Sequence, residues 1–205
     1  LYGASTQRAV LNFPVSGYRF GRRFIKALGQ VKYAAAMANE LLGRLDPKLA
    51  GPIKQAAREV IDGRHDDQFV VDIFQTGSGT STNMNANEVI ANRGLEIMGH
   101  NKGEYDYLHP NDHVNCSQST NDAYPTAVRV AVVLELSDLL AVLRTLETDL
   151  RAKAAEFREV LKMGRTQLQD AVPMTMGQEF DAFAVTTAED TAYTFTAAED
   201  RKSVV

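Results

Sequence analysis

The sequence predicts a mainly α-helical protein, in which a mixed N-terminal domain (residues 1–112) precedes the start of a long central helical bundle (residues 113–180). Apolar residues recur every three or four positions in several segments. No glycine or proline interrupts residues 126–163, whereas residues 68–76 are rich in β-branched and aromatic residues. A helix of about 30 residues would be about 45 Å long, and its broad apolar face requires partner helices.

Glycine and proline residues mark the bounds of the predicted elements. Residues 1–19 contain Gly3, Pro14 and Gly17 and are predicted to be irregular. Residues 68–76 could form a short strand or an extended connector, and residues 77–80 and 100–118 are predicted loops. Residues 181–205 contain no leucine or isoleucine, so no helix is predicted there. Helices are predicted at residues 24–42, 52–61, 82–98, 126–163 and 171–180.

The composition excludes several classes of protein. The 205 residues carry a net charge of −4 with scattered lysines and arginines, which argues against a nucleic-acid partner. No apolar run is long enough to suggest a membrane span. Cys116 is the single cysteine, so no internal disulfide can form and a reducing compartment such as the cytoplasm is expected. The chain begins at Leu1, and we expect its natural start to be missing.

Two polar segments precede predicted helices. Residues 119–122 are Ser-Thr-Asn-Asp, which is either plain helix capping or a carboxylate site at a positive helix end. Residues 77–83 also lead into a helix, where Asn83, Asn85 and Asn87 could line a polar site or face solvent. The phosphate-loop pattern is absent there.

Other polar residues give weaker signals. Residues 164–170, Gly-Arg-Thr-Gln-Leu-Gln-Asp, are expected to form a polar turn after a helix end. The four histidines and Cys116 have no zinc-ligand spacing, so no metal is predicted.

Taken together, these segments resemble the motifs of the aspartase/fumarase superfamily. Residues 77–89, Gly-Ser-Gly-Thr-Ser-Thr-Asn-Met-Asn-Ala-Asn-Glu-Val, resemble its first motif. His-Pro-Asn-Asp-His-Val-Asn (109–115) and Gln-Ser-Thr-Asn-Asp-Ala-Tyr-Pro-Thr (118–126) resemble the second. Residues 164–180 resemble the segment after the first long helix of the family. The resemblance covers most of residues 2–180.

The resemblance implies a truncated fumarase/aspartase-like fold that assembles as a homotetramer, with each active site built from three subunits. It implies reversible elimination of ammonia from L-aspartate to fumarate, without a cofactor. Ser-Thr-Asn-Asp-Ala-Tyr-Pro-Thr (119–126), Gly-Arg-Thr-Gln (164–167) and residues 102–107 favour an aspartase. Residues 2–8 and 66–69 are more typical of class II fumarate hydratases, which remain an alternative.

The resemblance also implies roles for individual residues. Thr166 and Gln167 would be catalytic, Gln167 standing where fumarases carry a histidine. His109, Asn111 and Asp112 resemble a secondary dicarboxylate site. The residues implied to hold the carboxylates and the amine of the substrate are Ser78, Thr80, Ser119, Thr120, Asn121 and Thr166.

The catalytic base of the family is a serine on a glycine-rich loop, which is expected beyond Val205. The 205-residue chain alone is therefore expected to be inactive. Residues 181–205 are expected to differ from the family, as the product of a truncated or frame-shifted reading. A non-catalytic helical relative that lacks the serine loop is a third alternative.

Overall fold

The computed structural model describes residues 1–77 and 79–199, and it confirms the mainly α-helical fold class. The chain divides into two compact units, with the division after Val132, whereas the sequence predicted a domain boundary after residue 112. The elements are α1 (Ala4–Asn12), α2 (Arg22–Leu41), α3 (Pro47–Ile61), α4 (Thr80–Ile97), α5 (Thr120–Glu156), β1 (Leu161–Thr166), β2 (Gln169–Thr175) and α6 (Met176–Glu199).

The core of the first unit lies among α2, α3 and α4. Leu28 of α2, Ile53 of α3 and Ile90 of α4 are completely buried in it. The spacing of apolar residues in α2 and α3 places them on one face, so the helices predicted from that spacing are confirmed. The helix predicted at residues 82–98 is confirmed as α4, which is buried on most of its sides. Helix α1 packs against α4, next to this core.

The expectation of an irregular N-terminus is wrong, because residues 4–12 form α1. The carboxylate of Glu88, on α4, accepts hydrogen bonds from the backbone N–H groups of Gly3 (2.9 Å), Ser5 (2.9 Å) and Thr6 (3.0 Å). Backbone N–H groups at a helix start need such an acceptor. Here the acceptor lies more than 80 residues away in sequence, so the residues around the start of α1 do not reveal the helix.

Helix α3 starts at Pro47, earlier than the predicted start at Pro52, which lies inside the helix. The side chain of Asp46 accepts a hydrogen bond from the Lys48 N–H and caps the helix, and proline is well suited to the first helical position. Residues 69–76 form the extended connector rather than a strand. The predicted loop at 100–118 contains one π-helical turn, Pro110–Val114.

Helix α5 runs from Thr120 to Glu156, whereas the sequence predicted 126–163. Residues 161–166 instead form β1, which pairs antiparallel with β2 in the register Leu161↔Thr175 and Thr166↔Gln169. The helix predicted for 171–180 is therefore also wrong over its first half. Strand pairing decides the conformation of this segment, and periodicity within one segment does not reveal its partner.

Helix α6 continues to Glu199, although no helix was predicted after Phe180. Among the residues of this helix whose burial is described, Gly177, Ala184 and Thr191 are buried, so small residues replace leucine and isoleucine on its inner side. The last six residues, 200–205, lie outside the described residues. Within the described ranges, no helix combines the length and apolar character needed to cross a membrane.

Glu59 links α3 to α4 through an ion pair with Arg93, at 2.7 Å to Nε and 3.1 Å to Nη2, and also contacts His65. The hydrogen bonds from Arg93 hold the pKa of Glu59 down at about 2, below its usual 4.5. A carboxylate with a lowered pKa contributes stability above pH 4.5 that is lost as the pH falls towards 2.

We therefore expect Glu59→Gln to remove this part of the acid sensitivity. The free energy of unfolding of the first unit, measured between pH 6 and 2, should fall less steeply with acid in the variant than in the wild type. Asp106→Asn, at an exposed position of the same unit, is the matched control and should leave the slope unchanged. If the free energy of unfolding fell equally steeply with acid in the wild type and in Glu59→Gln, Glu59 would not be a source of the acid sensitivity.

Candidate functional site

The start of α5 presents hydroxyl and amide groups to solvent. Ser119 is exposed, and its Oγ accepts the N–H of Asn121 at 3.2 Å, so the capping predicted for this segment is confirmed. Oγ1 of Thr120 accepts a hydrogen bond from Nδ2 of Asn83 at 3.1 Å. With each oxygen accepting an N–H group, each hydroxyl keeps its own proton to donate to an anion.

The start of α4 lies beside the start of α5. Gly79 has a φ of +77° and is packed against the ring of Tyr124, which a Cβ at position 79 would overlap. Only glycine meets both requirements without strain. Gly77, Asn121, Tyr124 and Pro125 line a cavity of about 210 Å³ between the two helix starts. Ser78 lies outside the described residues.

Tyr124 is held in place by other aromatic side chains. Its ring packs edge-on against Phe24, with centroids 5.5 Å apart, and against Phe20, at 6.2 Å. Burial raises the pKa of its hydroxyl. This packing joins α2 to the point where α4 and α5 begin, so the geometry of the site depends on the core of the first unit.

Thr80 lines a second cavity, of about 340 Å³, near the start of α4. Arg8 and Ser5 of α1 and Ser81 of α4 also line it. A guanidinium beside hydroxyls and a helix start favours a negatively charged ligand. Sequence reasoning missed Arg8, since the segment that carries it was predicted to be irregular.

Asn83, Asn85 and Asn87 of α4 are buried rather than facing solvent. Asn85 holds the connector, because it donates to the carbonyl of Gln68 at 2.9 Å and accepts from the N–H of Val70 at 3.2 Å. Nδ2 of Asn83 reaches both Thr120 and Oδ1 of Asn115, at 3.1 Å each. Among the described residues, the Oδ1 atoms of Asn83 and Asn87 are buried without a hydrogen-bond partner.

Lys32 is a completely buried lysine next to these amides, and sequence reasoning missed it. Its Nζ donates to Oδ1 of Asn115 and to Oε1 of Gln118, at 2.9 Å each. Burial lowers the pKa of this ammonium group to about 7. A signal was present in the sequence, because position 32 falls between Leu28 and Ala36 on the apolar face of α2.

Thr166 and Gln167 lie on the hairpin of the second unit, and not after a helix end as predicted. Thr166 ends β1 and pairs with Gln169. Gln167 and Leu168 have φ values of +46° and +67°, which defines a two-residue turn of type I′. Leu168 at its tip is 99% exposed. The roles of Thr166 and Gln167 stay predictions.

His109, Asn111 and Asp112 share the π-helical turn. Nδ1 of His109 accepts the N–H groups of Asn111 and Asp112 at 3.2 Å each, and Oδ2 of Asp112 lies 3.3 Å from it. The structure thus groups these residues, while their role as a secondary site stays a prediction. Within the described residues, no cluster of three His, Cys, Asp or Glu side chains could hold a metal ion.

Comparison with known proteins gives consistent matches. A family described as "Lyase" matches residues 1–202, beyond Phe180, where the resemblance was expected to fade. An aspartate ammonia-lyase of Helicobacter pylori is 54% identical over 92% of this chain and 41% of its own length. A class II fumarate hydratase of Halobacterium salinarum is 57% identical over 89% of this chain and 39% of its own length.

A solved structure from Brucella melitensis, titled fumarate lyase:delta crystallin, superposes with a TM-score of 0.89 at 52% identity. The match covers 97% of this chain and 46% of the Brucella melitensis chain. The chain therefore spans about 40% of the curated relatives it matches.

Proposed function

This chain belongs to the lyase family that matches residues 1–202, and on that premise we propose that the whole protein is an aspartate ammonia-lyase. By the whole protein we mean a protein of the length of its relatives, of which this chain spans about 40%. The observation that carries the proposal is the meeting of the α4 and α5 starts, where Tyr124 packs against Gly79 and where Ser119, Thr120 and Asn121 are accessible. Several relatives named aspartate ammonia-lyase, at 53–58% identity, support it.

The proposed reaction is reversible removal of ammonia from L-aspartate to give fumarate. A base takes a proton from the carbon next to the β-carboxylate, and negative charge then builds up on that carboxylate. Hydrogen-bond donors aimed at this charge stabilise the transition state more than the substrate. Ser78, Thr80, Ser119, Thr120 and Asn121 are proposed to bind the carboxylates and the amine.

Further groups are proposed for the active site of the whole protein, which would be assembled from segments of three subunits. Thr166 and Gln167 of the hairpin are proposed to act there, and the base is proposed to be a serine of the family's glycine-rich loop. His109, Asn111 and Asp112 are proposed as a secondary dicarboxylate site.

Gln167 separates this proposal from the class II fumarate hydratase alternative, which a relative of that name supports. A glutamine amide cannot relay a proton as a histidine can. We expect the whole protein to convert L-aspartate and to act on malate at least about tenfold more slowly. Assays of fumarate formation from both substrates, followed by absorbance, test this.

The matched variants are Gln167→His and Gln169→His, both on the same hairpin. Only the first should raise the activity towards malate relative to aspartate. Malate turnover by the wild type that equals or exceeds aspartate turnover would favour the hydratase. No turnover of either substrate, together with a downstream sequence that lacks the serine loop, would favour the non-catalytic relative.

We also propose that the whole protein is a cytoplasmic homotetramer. Several large apolar side chains are exposed along α5 in this chain. A row of exposed apolar side chains is typical of a surface that another protein chain covers. The exposed side chains on α5 are Val128, Val132, Val133, Leu139, Val142 and Leu146. Neighbouring copies of the helix could cover them, and the mass of the whole protein in solution tests this.

A further inference from the structure

We propose that Lys32 is a positioning residue, whose buried ammonium group fixes the segment 115–120 and thereby the hydroxyls at the start of α5. This inference rests on the proposed function for its catalytic consequence. It adds a residue on α2, away from every motif that the sequence singled out.

Lys32 is tied to this segment at two points. Its Nζ donates to Oδ1 of Asn115 and to Oε1 of Gln118, both at 2.9 Å. The same two side chains also hold the backbone around them, since Asn115 donates to the carbonyl of Gln118 at 3.0 Å and Gln118 donates to that of Val114 at 2.9 Å. Lys32 therefore orients both amides that shape the turn before α5.

The network continues to the proposed ligand-binding hydroxyl. Oδ1 of Asn115 accepts hydrogen bonds from both Lys32 and Asn83. Asn83 in turn donates to Oγ1 of Thr120 at 3.1 Å. A shift of Asn115 would therefore change the orientation of the Thr120 hydroxyl without any direct contact between Lys32 and the ligand.

Lysine is an unusual residue at a completely buried position such as 32. Burying a charged group is costly unless it is well paired, and an apolar side chain would suit the neighbouring core positions of α2. In the part of the chain that the structure describes, Lys32 donates to two neutral amide oxygens rather than to a carboxylate. In its protonated form the ammonium group therefore carries a positive charge that these acceptors do not neutralise, and such a charge favours a dianion at the neighbouring proposed site.

Lys32→Met keeps the length of the side chain and removes the ammonium group. In the whole protein we expect kcat/KM for L-aspartate to fall about 10²-fold, because misplaced binding groups cost about this much. KM should rise as well as kcat fall. A mere loss of folded protein would lower the apparent kcat at constant KM, so the rise in KM identifies positioning. Lys48→Met, at an exposed lysine of α3, is the matched control and should leave both constants unchanged.

Amide hydrogen exchange supplies a readout that does not depend on activity. Exchange at residues 119–123 should accelerate at least tenfold in Lys32→Met, while exchange in α3 stays unchanged. If Lys32→Met yields no folded protein, Gln118→Met removes one acceptor and should give the same pattern of faster exchange and raised KM. Unchanged exchange and an unchanged KM in a folded variant would overturn the proposal. A wild type that fails to convert aspartate would refute the proposed function, and the exchange result would still decide the role of Lys32.

Discussion

Replacing Thr120 by valine is expected to lower kcat/KM of the whole protein for L-aspartate about 10²- to 10³-fold, the usual cost of one lost transition-state donor. Valine has nearly the shape of threonine but cannot donate a hydrogen bond to a carboxylate. Asn83 keeps its bond to Asn115, so the fold should tolerate the change. Steady-state kinetics of fumarate formation measure the effect.

Thr145→Val is the control for this experiment. Thr145 is exposed on the same helix, and its hydroxyl bonds back to the carbonyl of Ala141. It should keep wild-type kinetics, and the two variants should unfold at similar temperatures. Wild-type kcat/KM in Thr120→Val would contradict the proposed role of this hydroxyl.

Replacing Gly79 by alanine is expected to lower the free energy of unfolding of the first unit by about 1–3 kcal/mol. Its φ of +77° disfavours any side chain, and the new methyl group would overlap the ring of Tyr124. Relief requires Tyr124 to move, and with it the start of α5. We therefore expect activity to fall together with stability. Urea unfolding and aspartate assays on the same variant measure both effects.

Gly51→Ala provides the opposite expectation. Gly51 lies inside α3, and a Cβ there would meet no atom within 4 Å. Alanine favours the helix over glycine by up to about 1 kcal/mol, so this variant should be slightly more stable. If Gly79→Ala were as stable as the wild type, Tyr124 could not be what fixes the loop before α4.

The helices of the first unit illustrate what periodicity can reveal. Leu28, Ile53 and Ile90 fall on the buried faces of α2, α3 and α4 because a helix repeats every 3.6 residues. Helix α1 escaped this reasoning because its start is capped by Glu88 from α4. The strands β1 and β2 escaped it because each is stabilised by the other.

The candidate site was predicted in part. Residues 119–122 predicted a helix start rich in hydrogen-bond donors, and the structure confirms the helix start with Ser119 as its cap. The contribution of Lys32 was not predicted, since a lysine within an apolar stripe gives no indication of its partners. Arg8 was missed for a similar reason, because its nearness to Thr80 depends on the docking of α1 against α4.

The sequence by itself determined the fold class, the helical faces and the family, because these follow from residue spacing and from motifs in fixed order. Only the tertiary structure decided which side chains meet at the site. The contacts of Lys32 with Asn115 and of Asn83 with Thr120 join residues 83 and 37 positions apart, respectively. Such contacts form when helices pack, and the local sequence around each residue does not specify its distant partner.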